Sequence, residues 1–489
     1  MADSFFFYDL ETTGISPRSA RVMQFAGQRT DMDLNPLGEP FNLLIRLTPD
    51  VLPEPEAILL TGITPQKTLA EGYTEAEFLK IFYKEVVLPG TVFTGFNSVR
   101  FDDEFMRFLN FRNFYDAYEW QWKEGNSRWD ILDLARMTRA LRPEGINWPV
   151  GDDGGPSARL EHLTKANHIN HLGAHDALAD VRATISVARL IKEKQPELFK
   201  YLFSIRDKKS VAAIINKGLP AVLTSRHFSP AFYCTSVVAK LLPSPNNKDA
   251  AIVYDLRYDP EQFVDMGIKE LEKIWEYQVD PEIVRLPVHT LKYNRVPALA
   301  PLGVIKQPAA QERIGLDLVT IHENFNKLTK HRQTLSDKVL EVVRRFDEKQ
   351  KDKQASEQTD PIAVDAKLYD GFIQDHDRQA MAKVRQLKPA ELSEEAVNFH
   401  DDRLKALLPL YKARNYPKYL DNDERLAWEQ YCNSRLTEGG KSSRLAAYFE
   451  KLNALASKTD VKERLYLLEE LQLYGQSLIP AEESDSAYR

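Results

Sequence analysis

Phe5-Phe6-Phe7-Tyr8-Asp9-Leu10-Glu11-Thr12-Thr13-Gly14 begins as an apolar run and ends on two carboxylates set two residues apart. The run reads as a short buried strand. Side chains alternate along a strand, so Asp9 and Glu11 share one face while Leu10 points to the other. Two like charges side by side repel unless a cation lies between them. An isolated Asp-x-Glu pair is commonly a solvated strand edge, and it is the buried-looking run ahead of it that points to a cation site.

Farther along, Ala174-His175-Asp176-Ala177-Leu178-Ala179-Asp180 leads into residues 181–194, where Val181, Ile185, Ala188 and Leu190 recur at roughly helical spacing. Gly173 breaks the preceding segment and Asp176 is an N-cap candidate, which places His175 on the turn before a helix and Asp180 one turn inside it. A surface histidine followed by a helix-dipole aspartate reads the same way. Between the two motifs, residues 91–96 read as a strand, and Asn97 can cap a helix carrying Asp102, Asp103 and Glu104. Three consecutive acids are most often a solvated face. Asp102, flanked by Phe101 and Phe105, falls beside the apolar stripe and is the ligand candidate, with Asp103 expected farther round towards solvent.

In this chain order the Asp-x-Glu strand, the Asn-initiated helix with its Asp and the His-x-Ala-x-x-Asp motif resemble the DEDDh 3′–5′ exonuclease superfamily. Longer strings are similar to the bacterial exodeoxyribonuclease I family: Asn97-Ser98-Val99-Arg100-Phe101-Asp102-Asp103-Glu104, Leu141-Arg142-Pro143-Glu144-Gly145-Ile146-Asn147-Trp148-Pro149 and Arg159-Leu160-Glu161-His162-Leu163. The similarity continues in Tyr369-Asp370-Gly371-Phe372 and Ala413-Arg414-Asn415-Tyr416-Pro417, so it spans nearly the whole chain.

The resemblance implies an α/β, ribonuclease-H-like exonuclease domain over residues 1–202, an SH3-like β-rich domain with helices over 203–348 and an all-helical domain over 362–479. The pattern agrees: strands and helices alternate early, then β-rich stretches at 231–238, 251–256 and 283–293 are punctuated by Pro and Gly. Helix is expected over 317–347, and apolar repeats follow at 403–411, 444–455 and 461–473. Residues 349–361 are charged and polar and read as a linker, and 480–489 as a disordered tail.

The activity implied is 3′→5′ hydrolysis of single-stranded DNA to 5′-mononucleotides, processive and serving DNA repair or recombination. A phosphodiester is shielded by its own charge, so its hydrolysis needs that charge neutralised, a water deprotonated and the leaving oxygen stabilised. Two divalent cations about 3.5–4 Å apart meet all three needs. Hard Mg²⁺, with Mn²⁺ as an alternative occupant, prefers carboxylate oxygen, which suits Asp9, Glu11, Asp102 and Asp180. By similarity Asp9 bridges two Mg²⁺, Glu11 and Asp180 hold the one that binds the attacking water, and Asp102 helps to hold the other. His175 is then the general base, with an ordinary pKa near working pH. A Tyr in its place would mark the sister subclass.

Glu11, Thr12 and Thr13 are implied to meet the 3′-terminal nucleotide and Arg159 a substrate phosphate. Arg142 and Arg313 match positions of a basic pocket for the acidic C-terminal tail of single-stranded-DNA-binding protein, although other parts of that pocket do not align. Residues 105–142 interleave aromatic and arginine side chains and hold three of the six tryptophans, as stacking plates and a phosphate rail would require. Most of those rings are expected to line a core, since Phe105, Phe108 and Phe111 recur at helical spacing. Tyr118, Trp122, Arg107 and Arg136 are the candidates for contact with the strand.

The net charge of −7 argues against a generally basic coat, so binding falls to a local channel and metals. Cys234 and Cys432 form no CxxC, which fits a reducing, cytoplasmic setting without a disulfide or zinc. No signal peptide is read at the start, and no run approaches the ~20 apolar residues of a membrane span. A monomer is expected. Two rivals are an exoribonuclease of the same superfamily acting on short RNA, whose chains usually lack so long an extension, and a non-catalytic nucleic-acid-binding module.

Overall fold

The computed structural model describes residues 3–171, 173, 176–275, 284–356 and 364–479. Strands β1 (Ser4–Thr12), β2 (Val22–Thr30), β3 (Pro36–Leu44), β4 (Thr91–Gly95) and β5 (Ser127–Asp130) form one sheet in the order β3-β2-β1-β4-β5. Pairing is antiparallel across β3, β2 and β1 and parallel across β1, β4 and β5. As the central strand, β1 is buried on both faces, and alternation sorts its side chains into two cores. Phe5 and Phe7 pack with Ala26, Val181 and Ile185, whereas Phe6, Tyr8 and Leu10 pack with Phe25, Phe82 and Trp120. Asp9 and Glu11 continue the first of these faces.

Helices α1 (Asp102–Arg112), α2 (Ile131–Leu141), α3 (Leu160–Ala166) and α4 (Ala177–Lys194) complete the layers that position the site. The Asp176 carboxylate caps α4 by accepting the Ala179 N–H at 3.1 Å, as the sequence predicts. Asn97 does not cap α1. It sits in the left-handed region at φ 70° and donates its N–H to Asp130 Oδ1 at 3.0 Å. Asp130 also accepts the Val99 N–H at 3.2 Å, so this carboxylate holds the chain as a turn and the helix begins only at Asp102.

The second sheet contains β6 (Ala221–Thr224), β7 (Thr235–Pro243), β8 (Ala250–Asp255), β9 (Val288–Lys292) and β10 (Ala298–Pro301), antiparallel throughout in the order β10-β6-β7-β8-β9. The expected β-rich stretches overlap β7, β8 and β9, although β7 begins four residues later than expected and runs on to Pro243, while β6 and β10 are four residues each and too short to announce themselves in the pattern. Leu328, Leu335 and Val339 of the long helix α5 (Leu318–Ser356) join a single apolar core that runs on from Phe5 and Phe7 through both sheets. The first two domains are thus joined by buried apolar surface. Helix α5 continues into the segment read as a linker, whose residues 357–361 lie outside the described ones.

The expected C-terminal repeats become α6 (Asp402–Asn415), α8 (Arg444–Ala456) and α9 (Leu465–Ser477), with α7 (Asn422–Thr437) between the first two. They dock on the nuclease domain at two apolar patches. Phe108, Phe111 and Phe114 meet Leu404 and Tyr411, and Met23 and Ile58 meet Leu445 and Leu471. Beside these patches lies a buried ion network. Asp365, fully buried, accepts from Arg21 at 2.6 Å and Arg414 at 2.8 Å, and Arg414 also pairs with Asp50 at 2.7 Å. The tail read at 480–489 lies outside the described residues, among which no helix is long and apolar enough to cross a membrane.

Candidate active site

Strand alternation turns Asp9 and Glu11 towards α4, and Asp180, one turn into α4, meets them there. Ligand oxygens of the three carboxylates all lie within 4.8 Å of one another. Asp102 arrives by another route, as the first residue of α1. It is 2% exposed, and its Oδ1 accepts the backbone N–H of Leu10 at 3.1 Å.

The electrostatics follow from this crowding. Burial, then the charges of Asp180 and Asp176, push Asp9 well above the usual carboxylate range. Glu11 is pushed up to about 9 by burial, then by Asp9, Asp180 and Asp176. Burial and Asp9 raise Asp102 as well. Carboxylates that hold one another protonated are relieved by a cation, and an all-oxygen donor set fits a hard divalent one.

His175 lies outside the described residues. The imidazole seen at the centre is that of His171, whose Nε2 is 2.5 Å from Asp180 Oδ1 and whose Nδ1 is 3.1 Å from Thr164 Oγ1. Sequence reading passed over His171 because it belongs to no motif. The clustering of His168, His171 and His175 in one short stretch was the only available signal.

Thr12 and Thr13 follow the carboxylates on the same strand end, with their hydroxyls engaged inside the protein. Thr12 Oγ1 donates to the Gly14 carbonyl at 2.8 Å, and Thr13 Oγ1 accepts the Arg21 N–H at 2.8 Å. The expectation for Asp103 is corrected. It is 1% exposed, accepts from Tyr8 Oη at 2.6 Å and pairs with Arg128, because its side of α1 packs on the sheet rather than facing water.

Of the aromatic and arginine candidates, three come together. Trp122 (61% exposed) and Tyr118 (39%) line a cavity of about 800 Å³, and the Arg107 guanidinium sits over the Tyr118 ring at 5.2 Å. Phe105, Phe108, Phe111, Phe114, Trp120 and Trp129 are core residues, as helical spacing predicts. Arg136 does not line this cavity and pairs with Asp133 on α2 at 3.1 Å. Arg159, largely exposed at the start of α3, is 3.6 Å from Glu161. The cavity also takes Arg206, Lys208, Lys292 and Arg295 from the second domain and Tyr369 from the third, none of which the sequence marked as a contact. Arg142 and Arg313 converge: both guanidiniums donate to the Leu141 carbonyl, at 2.6 and 3.3 Å.

Family models match three successive stretches: "Exonuclease" over residues 6–188, "Exonuclease I SH3-like domain" over 206–345 and "Exonuclease I C-terminal domain" over 362–478. The chain is 39% identical to the exodeoxyribonuclease I of Haemophilus influenzae over 97% of its length and 99% of that protein's. It is also 39% identical to that of Escherichia coli, over 97% and 98%. An E. coli exonuclease I structure in complex with a dA16 oligonucleotide superimposes with a TM-score of 0.89 at 38% identity, covering 98% of this chain and 100% of that one. A zinc-ion-bound form of an E. coli complex with single-stranded DNA gives 0.89 at 38% identity, with the same coverage. A structure of SSB with exonuclease I gives 0.86 at 37% identity, again covering 98% and 100%.

Proposed function

The chain belongs to the exodeoxyribonuclease I family, and from that membership we propose how its residues carry out the reaction. It is an exonuclease that binds and degrades single-stranded DNA and uses divalent metal. Our reading is that it works 3′→5′, releases 5′-mononucleotides and takes two Mg²⁺. The observation that carries it is the convergence of Asp9, Glu11 and Asp180 oxygens within 4.8 Å, with Asp102 tied to the intervening Leu10.

In this reading Asp9 would serve both cations, Glu11 and Asp180 would hold the one that supplies the nucleophilic water, and Asp102 would help to hold the other. Bound divalent cations neutralise the phosphodiester, acidify the water and stabilise the leaving oxygen. His175 takes the water proton. Because the Thr12 and Thr13 hydroxyls are engaged internally, reading of the 3′ end falls to Glu11 and to backbone groups near them. Arg159 reaches from the start of α3 towards a phosphate.

The strand runs from these carboxylates along the large cavity, stacking bases on Tyr118 and Trp122 while Arg107 and the second domain's cations follow the phosphates. What supports this path is that all three domains line the cavity, which also favours processive digestion. Arg136, facing Asp133 instead, has no such support. We assign residues 1–202, 203–348 and 362–479 to the three domains, a cytoplasmic setting and a monomeric state. Arg142 and Arg313, brought together at Leu141, are assigned to the acidic tail of single-stranded-DNA-binding protein.

A time course on 5′-labelled single-stranded DNA tests the reading. With Mg²⁺ conversion of full-length strand to short 5′-labelled products is expected, and with EDTA none. Equally fast digestion of a strand whose 3′ end is blocked, or faster loss of a matched RNA, overturns it.

A further inference from the structure

Helix α3 ends at Ala166, and the chain then turns back over its last turn instead of leaving it. His168 takes the left-handed region at φ 55°, and the Ile169 N–H donates to the Thr164 carbonyl at 2.9 Å. This fold-back carries His171, two residues on, between α3 and α4. Its side chain is 6% exposed, and each ring nitrogen meets one helix. Nδ1 is 3.1 Å from Thr164 Oγ1 on α3, and Nε2 is 2.5 Å from Asp180 Oδ1 on α4. The reaction assigned to the carboxylates and His175 makes no use of this ring.

Donors and acceptors fix its orientation. Thr164 is 1% exposed, and its hydroxyl gives its one proton to the Glu161 carbonyl at 3.0 Å. Towards His171 the Thr164 oxygen can therefore only accept, which puts a proton on Nδ1 and turns Nε2 to Asp180. A carboxylate oxygen at 2.5 Å is then joined to Nε2 through a shared proton. With both nitrogens committed, the ring cannot flip without breaking two hydrogen bonds, and neither nitrogen is left to take a proton from water.

The consequence falls on Asp180. The last torsion of an aspartate is soft, so a carboxylate on a helix does not by itself settle how its oxygens face their neighbours. A hydrogen bond on Oδ1 settles it, and here the neighbours are Asp9 and Glu11, with ligand oxygens of all three within 4.8 Å of one another. We propose that His171 is a positioning residue, holding Asp180 at the angle at which it shares a divalent cation with Asp9 and Glu11, with Thr164 anchoring the ring in turn. The proposal rests on the reading of these carboxylates as the metal centre.

The test is titration of the full chain with Mn²⁺ alone, without DNA, reading the free ion by electron paramagnetic resonance. His171→Ala is expected to weaken Mn²⁺ binding about 10–100-fold, the usual cost of losing a group that orients a metal ligand. His171→Gln, whose amide N–H can stand in for Nε2–H, should restore most of it. His171→Asn, whose amide reaches only the place of Nδ1, should not. Thr164→Val should weaken binding less than His171→Ala and add nothing in the double variant, because its hydroxyl acts through the ring. Melting in EDTA checks each fold, and should the alanine variant not fold, the contrast of Gln with Asn decides. Wild-type Mn²⁺ affinity in folded His171→Ala or His171→Asn overturns the proposal, since a residue that only packs would lower the melting temperature and leave metal affinity alone. So does turnover that falls at saturating Mn²⁺ while metal affinity is unchanged, which would place His171 on the reacting atoms. Unchanged Mn²⁺ binding in Asp9→Asn would instead sink the reading of the carboxylates as a metal centre, so the two failures are distinct.

Discussion

The backbone N–H of Leu10 donates to Asp102 Oδ1 at 3.1 Å, tying α1 to the one residue that separates Asp9 from Glu11. Phe105, Met106 and Leu109 pack the helix against Phe6, Tyr8 and Leu10, and the hydrogen bond fixes a carboxylate 92 residues away beside the end of β1. It leaves the other Asp102 oxygen available to a cation.

Asp102→Asn keeps an acceptor for Leu10 and removes the charge, and Asp9→Asn removes the charge shared by the whole centre. Each is expected to lower Mg²⁺-dependent hydrolysis by more than about a hundredfold, since even residues behind metal ligands are worth about 10–100-fold. His175→Ala should lose about 10²–10⁴-fold, the usual range for a general base. Gel-based turnover of single-stranded DNA checks all three, and near-wild-type rates in any of them would remove that residue from the centre.

Without metal, Glu11 at about 9 and the raised Asp9 and Asp102 favour the protonated protein. Their contribution to stability is complete below the ordinary carboxylate pKa and is lost as pH rises towards and through about 9. Mg²⁺ displaces those protons, so its stabilising effect should grow with pH. Melting temperatures in EDTA and in Mg²⁺, compared between about pH 5 and about pH 9, measure this. An Mg²⁺ increment that does not change with pH contradicts it.

Trp122→Ala and Tyr118→Ala each remove one exposed ring from the large cavity. Loss of about 1–3 kcal/mol of stacking corresponds to binding weaker by roughly 5- to 150-fold. Anisotropy titrations with oligothymidylate should show it, and unchanged affinity in both variants would place the strand elsewhere.

Asp365→Ala strips the buried arginines Arg21 and Arg414 of a shared partner, and leaving such charges unpaired typically costs about 3–5 kcal/mol. Burial pushes Asp365 up, but the Arg414 and Arg21 guanidiniums outweigh it and hold the carboxyl well below its usual range. Its contribution is therefore present above the unfolded value and lost as pH falls through the depressed one. Urea unfolding at neutral pH should report the lower stability, and limited proteolysis the loosened third domain.

Arg142→Glu should weaken capture of an acidic peptide ending like the tail of single-stranded-DNA-binding protein by about tenfold or more, and more at low salt. Calorimetric titration of the labelled tail measures it. Wild-type affinity would move the tail site away from Leu141.

Much of the centre was legible in the sequence because its rules are local. Alternation along residues 5–11 places Asp9 and Glu11 on one face whatever surrounds them, and an aspartate cap with a second aspartate one turn later defines Asp180 on α4. The apolar spacing of Phe105, Phe108 and Phe111 likewise marks core positions. Packing alone decided the rest. Asp103 is buried rather than solvated because Tyr8 and Arg128 reach it across the sheet, and Asn97 does not cap α1 because the chain turns left-handed there and the helix begins only at Asp102. His171 meets Asp180, and Lys292 and Arg295 join Trp122 around one cavity, only after distant segments fold together. A side chain's face on a strand or helix is set by bond geometry over a few residues, whereas its partners across domains are set by how whole layers bury their apolar surface, which no short stretch of sequence encodes.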